Sequence, residues 1–200
     1  MSNKGKDLIL EKCFALLVRK GFDAVSISDI QKETGMSRGI IYHYYKSKEE
    51  LFMEVVERYL LELFRINLNE IKDFNISQMI TFTELIYSDI CTNKLSIGGS
   101  SYNIINLDFL FFQGVTRDKE FEKRYQRVRD DELRAWITVV ENSIKLGEIN
   151  NLSDSETVAK TFVYIIDGAW FNIGYRMKDS NASAEITKML TDYYNQIKTR

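Results

Sequence analysis

Two hundred residues allow one or two domains, and 44% hydrophobic with 12% aromatic content is ample for a buried core, so a disordered chain is excluded beyond the termini. There is no proline and there are only ten glycines, which favours long helices throughout. The net charge of −2 hides a basic head on an acidic body: residues 1–48 hold nine Lys/Arg against five Asp/Glu, the remainder eighteen against twenty-four, as suits nucleic-acid binding by one end.

In chain order, Met1 to Asp7 leads into an amphipathic helix rather than a signal segment, and no apolar run approaches the roughly 20 residues that span a bilayer. A cytoplasmic protein with no membrane partner is expected. The first helix is expected from about Asp7 to Lys20, burying Leu8, Phe14, Leu17 and Val18, with Cys13 in its apolar periodicity and Gly21 as its stop. Cys13 and Cys91 stand 78 positions apart beside a single histidine, which gives little support to a zinc site or a thiol–imidazole pair, so no metal, cofactor or catalytic residue is expected.

The segment from Ser26 to Gly35 reads as a short helix ended by a glycine able to take positive φ, and Met36 to Tyr45 reads as a second helix after a tight turn. Together they predict a helix-turn-helix. On the 3.6-residue period, Ile41 and Tyr45 face inward with Ile27 and Ile30, while Gly39, Ile40 and His43 face outward, flanked by Arg38 and Tyr42. Such a face suits a DNA groove: glycine permits close approach, Ile40 meets thymine methyls, and Arg38 and Tyr42 reach the backbone. Ser47 with Glu50 predicts a capping box opening the next helix, with Lys48 in its first turn and an anion expected to offset the lysine charge there.

Gly21-Phe22, Ser26-Ile27-Ser28-Asp29-Ile30, Gly35-Met36-Ser37-Arg38-Gly39, Tyr42-His43-Tyr44-Tyr45 and Ser47-Lys48-Glu49-Glu50-Leu51 resemble the N-terminal domain of the TetR/AcrR family of bacterial transcriptional repressors over roughly residues 8–55. The resemblance implies DNA contacts from Ser26, Ser37, Arg38, Gly39, Tyr42, His43 and Lys48. Ile40 joins them from the face assignment. The chain departs from the family pattern at Tyr45, where phenylalanine is commoner, and at Lys46, which replaces a frequent proline and adds a candidate DNA contact.

A long fourth helix is expected after Ser47, its stripe of Leu51, Phe52, Val55, Tyr59, Leu60, Leu63 and Phe64 joining head to body. Further helices are expected at about 77–93, 102–114, 118–146, 154–178 and 184–198, with a Ser153/Glu156 capping box and Gly147 as a C′ residue. Gly98-Gly99-Ser100-Ser101 reads as a loop without the spacing or lysine of a phosphate loop. Thirteen of the eighteen residues from Arg117 to Arg134 are charged but mixed in sign. A solvated helix face over a stripe of Phe121, Tyr125 and Val128 is the better reading, with i,i+4 pairs at Glu120/Arg124 and Asp130/Arg134.

The last two helices are apolar around more than one face, which implies a partner surface; in the resembled family this pair forms a two-fold dimer. Twenty of the 25 aromatics fall after residue 48. Among them stand two acids, Asp108 and Asp167, each of which must be paired, neutral or matched by a cation. The family's body helices surround an inducer pocket, so candidate lining residues are Phe82, Tyr102, Asp108, Phe109, Phe112, Trp136, Phe162, Asp167 and Trp170. Asp167 is equally open to a structural or dimer-facing role.

The expectation is therefore an all-α protein. Residues 1–48 form a three-helix helix-turn-helix domain and residues 49–200 a helical ligand-binding and dimerisation domain. Its function is that of a ligand-responsive repressor, binding a partly palindromic double-stranded operator as a homodimer and released by a small-molecule inducer. An inducer-independent architectural or cell-division factor is the alternative reading. An α-helical enzyme with an appended helix-turn-helix is disfavoured because no nucleophile–base pair is evident.

Overall fold

The computed structural model describes residues 4–94, 104–150, 154–176 and 182–199. All regular elements among them are helical, apart from one isolated antiparallel bridge between Ile149 and Lys198. In order they are α1 (Lys4–Lys20), α2 (Ile27–Thr34), α3 (Arg38–Tyr44), α4 (Lys48–Tyr59), a 3₁₀ turn (Leu61–Phe64), α5 (Leu68–Ile71), α6 (Ile76–Asp89), a π turn (Ile90–Lys94), α7 (Ile104–Arg117), α8 (Lys119–Lys145), α9 (Ser155–Tyr175) and α10 (Ala182–Ile197). No described helix is long and apolar enough to cross a membrane.

These helices form two compact units. One holds α1 to α4, the 3₁₀ turn, α7 and α8 as far as Tyr125; the other holds α5, α6, the π turn, α8 from Gln126, α9 and α10. In the first unit, Ile9, Leu10, Cys13, Phe14, Leu16 and Leu17 of α1 are buried with Ile30, Ile41, Leu51, Phe52 and Val55, so α1 is the central post of the head. Phe14 stacks on Tyr59 at 4.8 Å, and two ion pairs, Lys6 to Glu54 and Arg58 to Asp7, run between α1 and α4. In the second unit Trp136, Val139 and Val140 of α8 are buried with Phe162 and Ile166 of α9 and Ile186 and Leu190 of α10. Ile76 donates its backbone N–H to buried Ser143, pinning the start of α6.

Several expectations are corrected. The fourth helix is not long: it ends at Tyr59, and the chain tightens into the 3₁₀ turn. Ser47 accepts from the Glu50 N–H at 3.0 Å, but the Glu50 carboxylate takes the Lys46 N–H instead of that of Ser47, so the box closes one residue upstream. The cap of α9 is Asp154, accepting from Thr157, whereas Ser153 lies outside the described residues, as do Gly98 to Ser101 and Tyr102. Along α8 the charged face is real but paired at i,i+3, Glu120 with Lys123 and Asp131 with Arg134, while Arg124 turns to Glu57 of α4 at 2.8 Å. Gly147 does end α8 at φ 71°.

Candidate nucleic-acid interface

The helix-turn-helix is built by caps. Ser26 and Asp29 close a reciprocal capping box at the start of α2, the Ser26 Oγ accepting from the Asp29 N–H and the carboxylate accepting from the Ser26 N–H. The Ser26 hydroxyl also donates to the Asp29 carboxylate at 2.6 Å, and this bond, with that from the Ser26 N–H, holds the Asp29 carboxyl well below the usual carboxylate range, Lys20 adding to the effect at 3.3 Å. Gly35 ends α2 at φ 69°, a left-handed conformation that glycine adopts without a Cβ penalty. Two residues later Ser37 caps α3 by accepting from the Ile40 N–H. The Ser26/Asp29 box was legible as S-x-x-D before an apolar position, a capping signal the sequence reading passed over.

With the caps fixed, α3 presents its faces as its period requires. Ile41 and Tyr45 are buried, whereas Arg38, Gly39, Ile40, Tyr42 and His43 are exposed, with Ser26, Ser37 and Lys46 exposed nearby. Arg38 lies over the Tyr42 ring at 5.4 Å, so the two present one cationic, hydrogen-bonding edge. A Cβ added at Gly39 would meet only Ser37 Oγ at 3.9 Å. Neither packing nor backbone angle requires glycine there.

Lys48 behaves differently from the expectation of a bare cation. It is half-buried and donates to the Phe22 and Val25 carbonyl oxygens, both at 3.0 Å. The charge compensation expected from an anion is supplied inside the head.

The aromatic candidates of the body fall into different units. Asp108, Phe109 and Phe112 belong to the first, where Phe109 and Phe112 are 53% and 65% exposed on α7. Phe82, Trp136, Phe162, Asp167 and Trp170 belong to the second. There Trp136 and Phe162 stack at 4.6 Å, Trp170 meets Tyr87 edge-on at 5.0 Å, and Phe82 meets Phe74 at 6.0 Å. A cleft of about 370 Å³ in the first unit is lined by Glu49, Phe52, Met53, Arg117 and Asp118, none of which was a candidate pocket residue. Among the described residues no cluster has the makings of a metal site. Burial pushes the Cys13 thiol up to about 12, the behaviour of a core cysteine.

Asp167 already has its cation. Arg129 of α8 donates to it at 2.5 Å and also reaches Glu132 at 2.6 Å, so one guanidinium serves two carboxylates. Burial pushes the Glu132 carboxyl up to about 7, against the pull of Arg129 and with Asp167 adding to the rise. A carboxyl whose folded value exceeds its unfolded one binds the proton more tightly in the native state. Its contribution to stability is full in acid and declines as pH rises from about 4.5 to about 7. Thermal unfolding of the wild type should lose roughly 2–3 kcal/mol across that window through this group, and Glu132→Gln should remove that share of the dependence. Parallel pH profiles for the two proteins would contradict the assignment.

Comparison with known proteins places this geometry. Residues 9–55 match the model of the bacterial regulatory proteins of the tetR family. Over 186 residues, covering 90% of this chain and 87% of the relative, the sequence is 27% identical to YfiR of Bacillus subtilis, an uncharacterised HTH-type transcriptional regulator. It is 27% identical to the HTH-type transcriptional regulator BetI of Vibrio campbellii, over 82% of this chain and 78% of that one. Among solved structures, a TetR transcription regulator from Haloarcula marismortui superposes with a TM-score of 0.73 at 17% identity, covering 98% of this chain and 99% of the other. A putative transcriptional regulator from Saccharomonospora viridis, solved in complex with choline, gives 0.71 at 18% identity with both chains fully covered. Residues 9–55 thus match the N-terminal domain of the tetR family, and the helical fold along the chain is similar to that of solved TetR-type transcriptional regulators.

Proposed function

We propose that the protein is a repressor that binds a partly palindromic operator as a homodimer and is released by a small-molecule ligand. The observation that carries the DNA-binding part is the outward face of α3. Arg38, Gly39, Ile40, Tyr42 and His43 are exposed together over an inward pair, Ile41 and Tyr45, that fixes the helix in the head. A recognition helix in the major groove reads bases with such a face and positions itself through phosphate contacts around it. The activity is binding, without chemistry.

Two-fold assembly is supported by α9. Tyr164, Phe171 and Tyr175 are 66%, 54% and 69% exposed, and Gly168 lies between them with nothing within 4 Å of a built Cβ. Spacings of four, three and four residues put all four on one stripe, opposite the buried Phe162, Ile166 and Ile173. Such a stripe of large apolar residues around a glycine fits a second helix. The ligand part is supported by the choline complex of the structural neighbour, which makes choline the first probe.

The test begins with selection of bound duplexes from random or genomic DNA. Tyr42→Phe should then weaken all bound sequences alike, while changes at Ile40 or His43 should alter which bases are preferred. Base-preference profiles that Ile40→Ala and His43→Ala leave untouched would refute the face assignment. Choline and related quaternary ammonium compounds should weaken DNA binding in the same assay. If no small molecule does so, the inducer-independent reading is favoured.

A further inference from the structure

The turn between α1 and α2 is held by side chains from two helices remote in sequence. It opens at Gly21, at φ 74°, where a Cβ would sit 3.4 Å from the Phe109 ring of α7, and it delivers the chain to Ser26, the cap of α2. Phe22 at its centre is buried and packs against Phe52 at 4.6 Å. Its backbone N–H donates to Gln113 Oε1 of α7 at 3.1 Å, and its carbonyl accepts from Lys48 Nζ of α4 at 3.0 Å. Its ring is approached by two cations, the Lys48 ammonium at 4.1 Å from the centroid and the Arg117 guanidinium at 4.4 Å. Arg117 also donates to both oxygens of Asp23, at 2.8 and 3.0 Å, and Lys48 donates to the Val25 carbonyl at 3.0 Å.

Within the turn the Phe22 carbonyl accepts only a 3.3 Å bond from the Val25 N–H, and no helix or sheet ladder supplies the Phe22 N–H, so Gln113, Arg117 and Lys48 supply the remaining side-chain contacts that hold it. An ammonium has three N–H donors, and two of those on Lys48 go to carbonyls within the head. We propose that Lys48, Gln113 and Arg117 are positioning residues for DNA binding: they clamp the Phe22–Val25 turn and so fix α2 and α3, Lys48 acting through the turn and not as a phosphate ligand. This rests on the DNA-binding reading above.

The test is duplex affinity measured against salt for the wild type, Lys48→Gln, Arg117→Gln, Gln113→Met and the Lys48→Gln/Arg117→Gln double variant, with thermal midpoints recorded alongside. Each single change should lower affinity about tenfold, the scale of one hydrogen bond, at an unchanged salt slope. The double variant should lose less than the product of the singles, because both residues hold one turn. Removing a phosphate contact would instead flatten the slope by about one, and a Lys48→Gln slope reduced by that amount, with multiplicative losses in the double variant, overturns the clamp. Unchanged affinity in Arg117→Gln, a change at a half-exposed position, overturns it as well. A wild type that binds no selected duplex brings down the DNA-binding reading itself, an outcome distinct from either.

Discussion

Gly168→Glu combined with Phe171→Glu should turn a dimer into a monomer and lower operator affinity by about 10²–10⁴-fold, the range in which the linkage of two half-site contacts operates. Both positions lie on the exposed stripe of α9, and a Cβ built at Gly168 meets nothing within 4 Å beyond its own turns of helix. The variant should therefore keep its helical content while losing assembly, with a lower thermal midpoint that no longer depends on protein concentration. Tyr193, on α10, is a poorer place for the charge: it packs edge-on against the buried Phe162 at 4.9 Å, so a charged residue there disturbs the core together with any interface. Sedimentation at micromolar concentration reads the outcome. A wild type already monomeric there, or a double variant that stays dimeric, would refute the two-fold model.

The head was the part most legible in the sequence, because its structure is set by local rules. Gly35 needs positive φ, Ser37 and Ser47 cap the helices that follow them, and the 3.6-residue period separates Ile41 from Ile40 without any tertiary information. Lys48 escaped those rules. Its partners, the carbonyls of Phe22 and Val25, lie 26 and 23 residues away in sequence, and nothing local distinguishes a lysine bound to carbonyls from one waiting for a phosphate. Gln113, 91 residues from Phe22, was invisible for the same reason.

In the body, helix existence was legible and partnership was not. Composition and periodicity gave each long helix to within a few residues, but the fourth was overextended, since the apolar stripe continues through a 3₁₀ turn that shares its near-threefold spacing. The charged face of α8 was correctly read as solvated. Its pairing was not, because Glu57 of α4 competes for Arg124 and no i,i+4 rule contains that information. Asp167 shows the same gap: an acid in an aromatic run invites a cationic ligand until Arg129, 38 residues upstream, is found beside it.

Phe162→Ala tests whether the aromatic centre of the second unit is core or cavity wall. The ring is fully buried, stacks on Trp136 with planes 7° apart at 4.6 Å, and receives the edge of Tyr193 at 4.9 Å. Removing it deletes the transfer free energy of a phenyl group, leaves a cavity between three helices and breaks both ring contacts. The expected loss is about 3–5 kcal/mol. In urea the midpoint of the transition reported by tryptophan fluorescence should fall with the slope conserved, and since Trp136 loses its stacked neighbour the native emission should shift as well. A ring that lined an open ligand cavity would leave little new void when truncated, and a loss under about 1 kcal/mol would place Phe162 in such a wall. The same titration repeated with choline separates the cases further, because a ligand that binds only the native state stabilises it by RT ln(1 + [L]/Kd), and a variant that has lost a wall of the site loses that increment too.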